Sequence, residues 1–212
     1  TEDLVVEHKK VLTASFNVST RVLVLPMWEK ASNNVYDMLV GHEVGHALFT
    51  PNVDIASFKA PSSYINVIED ARIEKLIKRK FPGLCKSFFR GYWELHEQDF
   101  FEVQGLDSEE ITLIDRINLH YKGSNDMVFS DEEKVFVERT GKTETFEEVC
   151  ELAEDIHAFM KEQKEKREQE KIDDTDFDMG SEMSNDIQNG SGESSGEDVE
   201  ESEEEGEGES SH

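Results

Sequence analysis

Apolar positions along the chain change period within the first fifty residues. Residues 2–25 read as β-structure. The run 11–18 is rich in β-branched and apolar residues, with Ala14, Phe16 and Val18 alternating against polar neighbours. A second run covers 21–25. Ser19-Thr20 is the turn between them, although the pair lacks the Asn-Gly or Asp-Gly signature, and Pro26 ends the second strand. From residue 34 the spacing is helical: Val35, Met38, Leu39, His42 and His46 share one stripe. Ser32-Asn33-Asn34 offers N-caps and Thr50-Pro51-Asn52 a stop, which predicts a helix over 34–49. The residues 53–61 form a loop. A second helix is predicted between Pro61-Ser62-Ser63 and Pro82-Gly83. Its apolar stripe is Ile65, Ile68, Ile73, Leu76 and Ile77, and Lys78, Arg79 and Lys80 fill its last turn, as the helix dipole favours.

Beyond Pro82 the pattern stays helical. Residues 84–101 carry Phe88, Phe89, Tyr92, Trp93, Leu95, Phe100 and Phe101, which predicts mainly core. A helix is predicted over 107–121, with Asp107 and Glu110 in capping-box spacing and Gly123 as its stop. Ser130 with Glu133 starts a short helix. Thr145 with Glu148 starts a longer one whose stripe is Phe146, Val149, Leu152, Ala153, Ile156, Phe159 and Met160. Over 161–171 that stripe disappears and the helix is expected to fray into solvent. The expected fold class is α+β, a small antiparallel sheet packed on a mostly helical body.

Charge divides the 212 residues unevenly. From Asp173 onward there are 16 acids and no lysine or arginine, so most of the net −27 lies at the C-terminal end. Residues 172–212 hold few apolar side chains and are expected to form a disordered acidic tail or linker, leaving 1–171 as the folded domain. An acidic surface repels phosphates, which argues against nucleic acid as a partner. No run approaches the ~20 apolar residues of a membrane span. Cys85 and Cys150 lie far apart in apolar helical contexts and read as reduced core thiols, which points to a cytoplasmic protein. The chain begins at Thr1 and not at Met, so it reads as a fragment or a processed form.

The chemistry lies in Gly41-His42-Glu43-Val44-Gly45-His46. Two histidines four apart lie one above the other on a helix and can grip one zinc ion, with Glu43 one position round beside the metal-bound water. Zinc lowers the pKa of that water to near ~7, and a carboxylate within reach takes its proton. The bland reading is a surface helix that happens to carry two histidines, but both continue the apolar stripe and so face inward. Gly45, a poor helix residue, implies a close neighbour beside the second histidine.

A catalytic zinc site has three protein ligands and one open position. Glu69 is the best placed third ligand, because it sits on the apolar stripe of the next helix, where an uncompensated carboxylate is expensive. Two alternatives stand beside it: Asp70 as the ligand, or a metal-free buried salt bridge between Glu69 and Arg72. Asp70 and Asn66 are candidates to hydrogen-bond the histidine rings. Tyr92, His96, His120 and Tyr121 are candidate donors to an oxyanion.

His42-Glu43-Val44-Gly45-His46 followed by Asn66-Val67-Ile68-Glu69-Asp70-Ala71-Arg72-Ile73-Glu74 resembles the zincin metallopeptidases with a glutamate third ligand, the gluzincins. It resembles more narrowly the metallopeptidase-like proteins of tailed bacteriophages that carry a von Willebrand factor A-like region. Cobaltochelatase and nitric-oxide-reductase accessory proteins share similar wording around Glu69. The resemblance covers about a third of the chain, residues 11–80. It implies a zincin-like fold, zinc held by His42, His46 and Glu69, and Glu43 as the base of a peptidase acting on protein or peptide. It also implies a second function, a non-proteolytic adaptor beside a ring-forming AAA+ ATPase or a von Willebrand factor A-type domain. If phage-encoded, the protein would work in the host cytoplasm. One position departs from the thermolysin-type pattern: four residues after Glu69, where that branch has Asp, stands Ile73.

Overall fold

The structure is a computed structural model describing residues 4–11, 14–27 and 32–182. Residues 1–167 form one compact unit, and 168–212 are assigned to a second. The elements are β1 (Val5–Lys9), β2 (Ser15–Asn17), β3 (Val22–Pro26), α1 (Asn33–Phe49), a short 3-10 turn (Ile55–Ser57), α2 (Ser62–Lys80), α3 (Leu84–Glu97), α4 (Leu113–Tyr121), α5 (Asp131–Lys142) and α6 (Phe146–Glu182). The class is α+β, mostly helical with one small sheet.

The sheet is mixed. β2 and β3 pair antiparallel as the sequence suggests, with Phe16 opposite Leu23. β1, however, lies parallel to β3 on its other side, giving the order β1-β3-β2. The expectation of a purely antiparallel sheet is corrected on that point. The first predicted strand also shortens to Ser15–Asn17, and residues 12–13 of it lie outside the described residues. The turn between β2 and β3 closes where Asn17 accepts the Thr20 amide on its side chain (2.8 Å) and the Arg21 amide on its carbonyl (2.8 Å). These two bonds to Asn17 replace the Asn-Gly signature that the sequence lacks.

Helix starts follow their caps. Ser32 accepts the Val35 amide, and Ser130 and Glu133 form a complete capping box at α5. α4 starts later than predicted. Thr112 caps it, while the Asp107–Glu110 pair closes only a turn. Gly123, with φ +89°, stops it. α6 does not end near 171 but continues to Glu182. The rest of the expected tail, 183–212, lies outside the described residues.

α2 is the central element. Its Ile65 and Ile68 pack with Leu113, Ile114 and Ile117 of α4 and with Val149, Leu152 and Ile156 of α6. Ile77, near its other end, packs with Val35 and Met38 of α1 and Phe88, Tyr92 and Leu95 of α3. Each such aliphatic side chain removed from water contributes about 1.5–3 kcal/mol. Leu23 and Leu25 of β3 rest on Leu39 and Val40 of α1. α3 departs from the expected aromatic core. Phe88 and Tyr92 are buried, but Phe89, Trp93 and Phe100 are exposed. Cys150 is buried as predicted, whereas Cys85 is exposed.

Two glycines set the helix separations. A Cβ on Gly45 would stand 2.9 Å from Ile73 Cδ1, so α1 and α2 touch at the turn that carries His46. A Cβ on Gly91 would stand 2.8 Å from Met38 Sδ, so α3 lies equally close on the other side of α1. The close neighbour implied by Gly45 is therefore Ile73.

Candidate metal centre

The α1–α2 contact brings three ligand atoms together. His46 Nε2 lies 3.2 Å from His42 Nε2 and 3.2 Å from Asp70 Oδ1, and His42 Nε2 lies 3.5 Å from the same Asp70 oxygen. Ligands about 2.0–2.2 Å from a tetrahedral metal stand about 3.3–3.6 Å apart, so these edges match one face of such a tetrahedron. His42, His46 and Asp70 can therefore hold a metal ion. All three are only partly buried, with side-chain exposures of 15, 19 and 20%. That leaves the site open to solvent for a further ligand.

Hydrogen bonding behind the rings fixes which nitrogens face the site. His42 Nδ1 lies 3.0 Å from Glu74 Oε1, a carboxylate that can only accept, so that nitrogen carries the proton. Glu74 also accepts from the Tyr92 hydroxyl and is nearly fully buried. His46 Nδ1 lies 2.9 Å from Thr50 Oγ1. Thr50 gives its one proton to Glu69 Oε1 at 2.5 Å, so it must accept from His46. Both Nε2 atoms then present lone pairs to each other and to a carboxylate oxygen. Three electron-rich atoms at this spacing require a cation among them.

Without a metal that cation is a proton. Burial alone would lower the His42 pKa, but the carboxylates of Asp70 and Glu74 outweigh it and raise the pKa to about 10. Asp70 shows the counterpart. Burial works against its charge, yet His42, His46 and Lys122 hold it well below the usual carboxylate range. Lys122 Nζ sits 3.3 Å from Asp70 Oδ2, which neutralises that oxygen and leaves Oδ1 facing the histidines.

Glu43 is buried on the turn between the two histidines. Burial raises its pKa, while His42 and His46 and the Phe16 backbone amide of β2 pull the other way. A buried carboxyl with heightened proton affinity beside a metal site is suited to taking a proton from water.

The structure places Glu69, expected as the third ligand, away from the other two candidates. Glu69 does not face the histidine nitrogens. It is held by Arg72, whose Nε reaches Oε2 and whose Nη2 reaches Oε1, both at 2.7 Å. Arg72 also donates to the Phe49 and Glu144 carbonyls, tying α2 to the end of α1 and to the start of α6. Glu69 is thus the buried ion pair weighed as its alternative role, and it acts on His46 only through Thr50. Asp70, one residue on and so about 100° further round the helix, is the carboxylate that stands beside both histidine Nε2 atoms. Asn66 is exposed and does not support the rings.

Three of the four suggested oxyanion donors are engaged elsewhere. Tyr92 donates to Glu74, Tyr121 to the Val137 carbonyl, and His96 Nε2 meets the Lys122 carbonyl. His120 is exposed and packs edge-on against Phe129. Three site residues escaped the sequence reading. Glu74 and Thr50 each lie four residues beyond a candidate ligand, Asp70 and His46, so helical spacing could have found them. Lys122 arrives from α4 with no local signal.

No helix among the described residues is long and apolar enough to cross a membrane. No protein-family model, curated protein or solved structure matches the chain.

Proposed function

We propose that this protein is a zinc-dependent metallopeptidase of zincin-like architecture, with His42, His46 and Asp70 as ligands and Glu43 as general base. The supporting observation is the triangle of two Nε2 lone pairs and one carboxylate oxygen, with edges of 3.2–3.5 Å, beside a buried carboxyl. Two imidazoles and one carboxylate with an open side suit catalytic zinc. When bound, zinc supplies a Lewis acid and makes water acidic enough to lose a proton near neutral pH. Glu43 takes that proton and later delivers it to the departing amine. Glu74 and Thr50 hold the two rings in the ligating tautomer.

The test is paired. Bound zinc is measured in wild type and in Glu43→Gln, and both are incubated with casein. The variant is expected to keep its zinc while cleavage falls at least ~100-fold. Full zinc with no cleavage by either form would reject the peptidase and favour the adaptor role beside an ATPase.

A further inference from the structure

α3 turns an unusual face to solvent. Lys86, Phe89, Arg90, Trp93 and Glu97 are all exposed and follow helical spacing. Phe89 is 76% exposed and Trp93 60% exposed, whereas Phe88, Tyr92 and Leu95 on the opposite face fill the core. Two large rings one turn apart make a contiguous apolar patch, the kind of surface that marks an interaction site.

The charges on this face run against the helix itself. Lys86 lies in the first turn and Glu97 is the last residue. The macrodipole disfavours a cation at the N-terminus and an anion at the C-terminus. Neither residue has an ion-pair partner among the described residues. Among the described residues no ion pair offsets this arrangement.

A second copy does. When two α3 helices lie antiparallel about a two-fold axis between residues 91 and 92, Lys86 faces Glu97 and Arg90 faces Trp93 of the other copy. Phe89 falls beside the same Trp93. The face is its own complement in charge, in cation–π pairing and in apolar contact, as an isologous interface requires. The opposed helix dipoles also favour antiparallel packing.

We infer that the exposed face of α3 is a self-association surface on which two copies of this chain pair through Phe89, Arg90 and Trp93, with Lys86 and Glu97 setting the register. A helix of 14 residues is about 21 Å long, so the contact is small and the dimer weak and concentration-dependent.

Sedimentation equilibrium of the full chain at about 0.15 M salt, up to roughly millimolar protein, tests this. Wild type is expected to dimerise. Trp93→Ala should weaken association at least ~10-fold. Lys86→Glu and Glu97→Lys, each alone, place like charges opposite one another and should weaken it about 3–10-fold. An equimolar mixture of those two variants forms only complementary pairs across the interface, so it should regain wild-type association as a heterodimer. A monomer at every concentration overturns the proposal. So does a dimer indifferent to Trp93→Ala, or a mixture no tighter than its components. Unchanged circular-dichroism melts confirm that the variants, all at exposed positions, remain folded.

Discussion

At the scale of residues, the site depends on which of two adjacent carboxylates turns toward the histidines. Glu69 and Asp70 are next to each other, yet one is locked by Arg72 and Thr50 and the other faces both Nε2 atoms. The two roles separate experimentally. On the proposed ligand set, Asp70→Asn removes the anionic donor and is expected to lower zinc affinity at least ~100-fold, with the Glu69–Arg72 pair intact. Glu69→Gln leaves the Arg72 guanidinium buried without its counter-charge, which costs about 3–5 kcal/mol of stability. Its effect on zinc passes only through Thr50 and should stay within about 10-fold. Competition with a chromophoric chelator and urea unfolding of both variants check this. Equal zinc loss in the two would restore Glu69 as a ligand. The sequence made the pair of carboxylates visible but not their assignment, because a shift of one helix position depends on how α2 is rotated against α1.

At the scale of elements, the centre exists because α1 and α2 approach closely at Gly45 and Ile73. Gly45→Ala puts a methyl group 2.9 Å from Ile73 Cδ1, so the Ile73 side chain must leave its rotamer or the helices must part. Overpacking of this kind costs about 1–3 kcal/mol. For a unit of this size that lowers the melting temperature by about 2–4 °C per kcal/mol. Ile73→Val removes the offending methyl. The double variant is therefore expected to be more stable than the sum of the single effects predicts, as thermal melts in a double-mutant cycle would show. Strict additivity would mean that the Gly45 contact does not set the spacing. Here the sequence was informative. A glycine inside a helix, one place before His46, indicated a close neighbour, although only the fold identified it as Ile73.

At the scale of the whole molecule, the site links stability to pH. In metal-free protein the His42–Asp70 attraction ties α1 to α2. The His42 pKa is raised above its ordinary 6.5 to about 10, so this stability is fully present below pH 6.5 and is lost as pH rises toward 10. Asp70 is depressed below its ordinary 3.8, so its share is present above that value and is lost on acidification below it. Glu43, raised by burial, adds to the loss above its ordinary 4.5. With chelator present, the melting temperature should therefore fall between pH 6.5 and 10, and His42→Gln should flatten that fall. A wild-type melt unchanged from pH 6.5 to 9.5 would contradict this account. Zinc uptake should strengthen over the same interval, because the metal replaces the proton.

The sequence by itself determined the helices, most of their caps and the two histidines on one inward face. These follow from local rules: 3.6-residue periodicity, Ser and Thr at N-caps, Pro and Gly at ends. It also placed two adjacent acids, Glu69 and Asp70, in the right helix. Tertiary structure alone decided that Asp70 and not Glu69 meets the histidines, that β1 joins the sheet in parallel, and that Lys122 arrives from α4. It also decided that Phe89 and Trp93 face solvent while Phe88 and Tyr92 do not. Each of these depends on how one element is rotated or registered against another. That choice rests on packing between residues far apart in the chain, which no local pattern records.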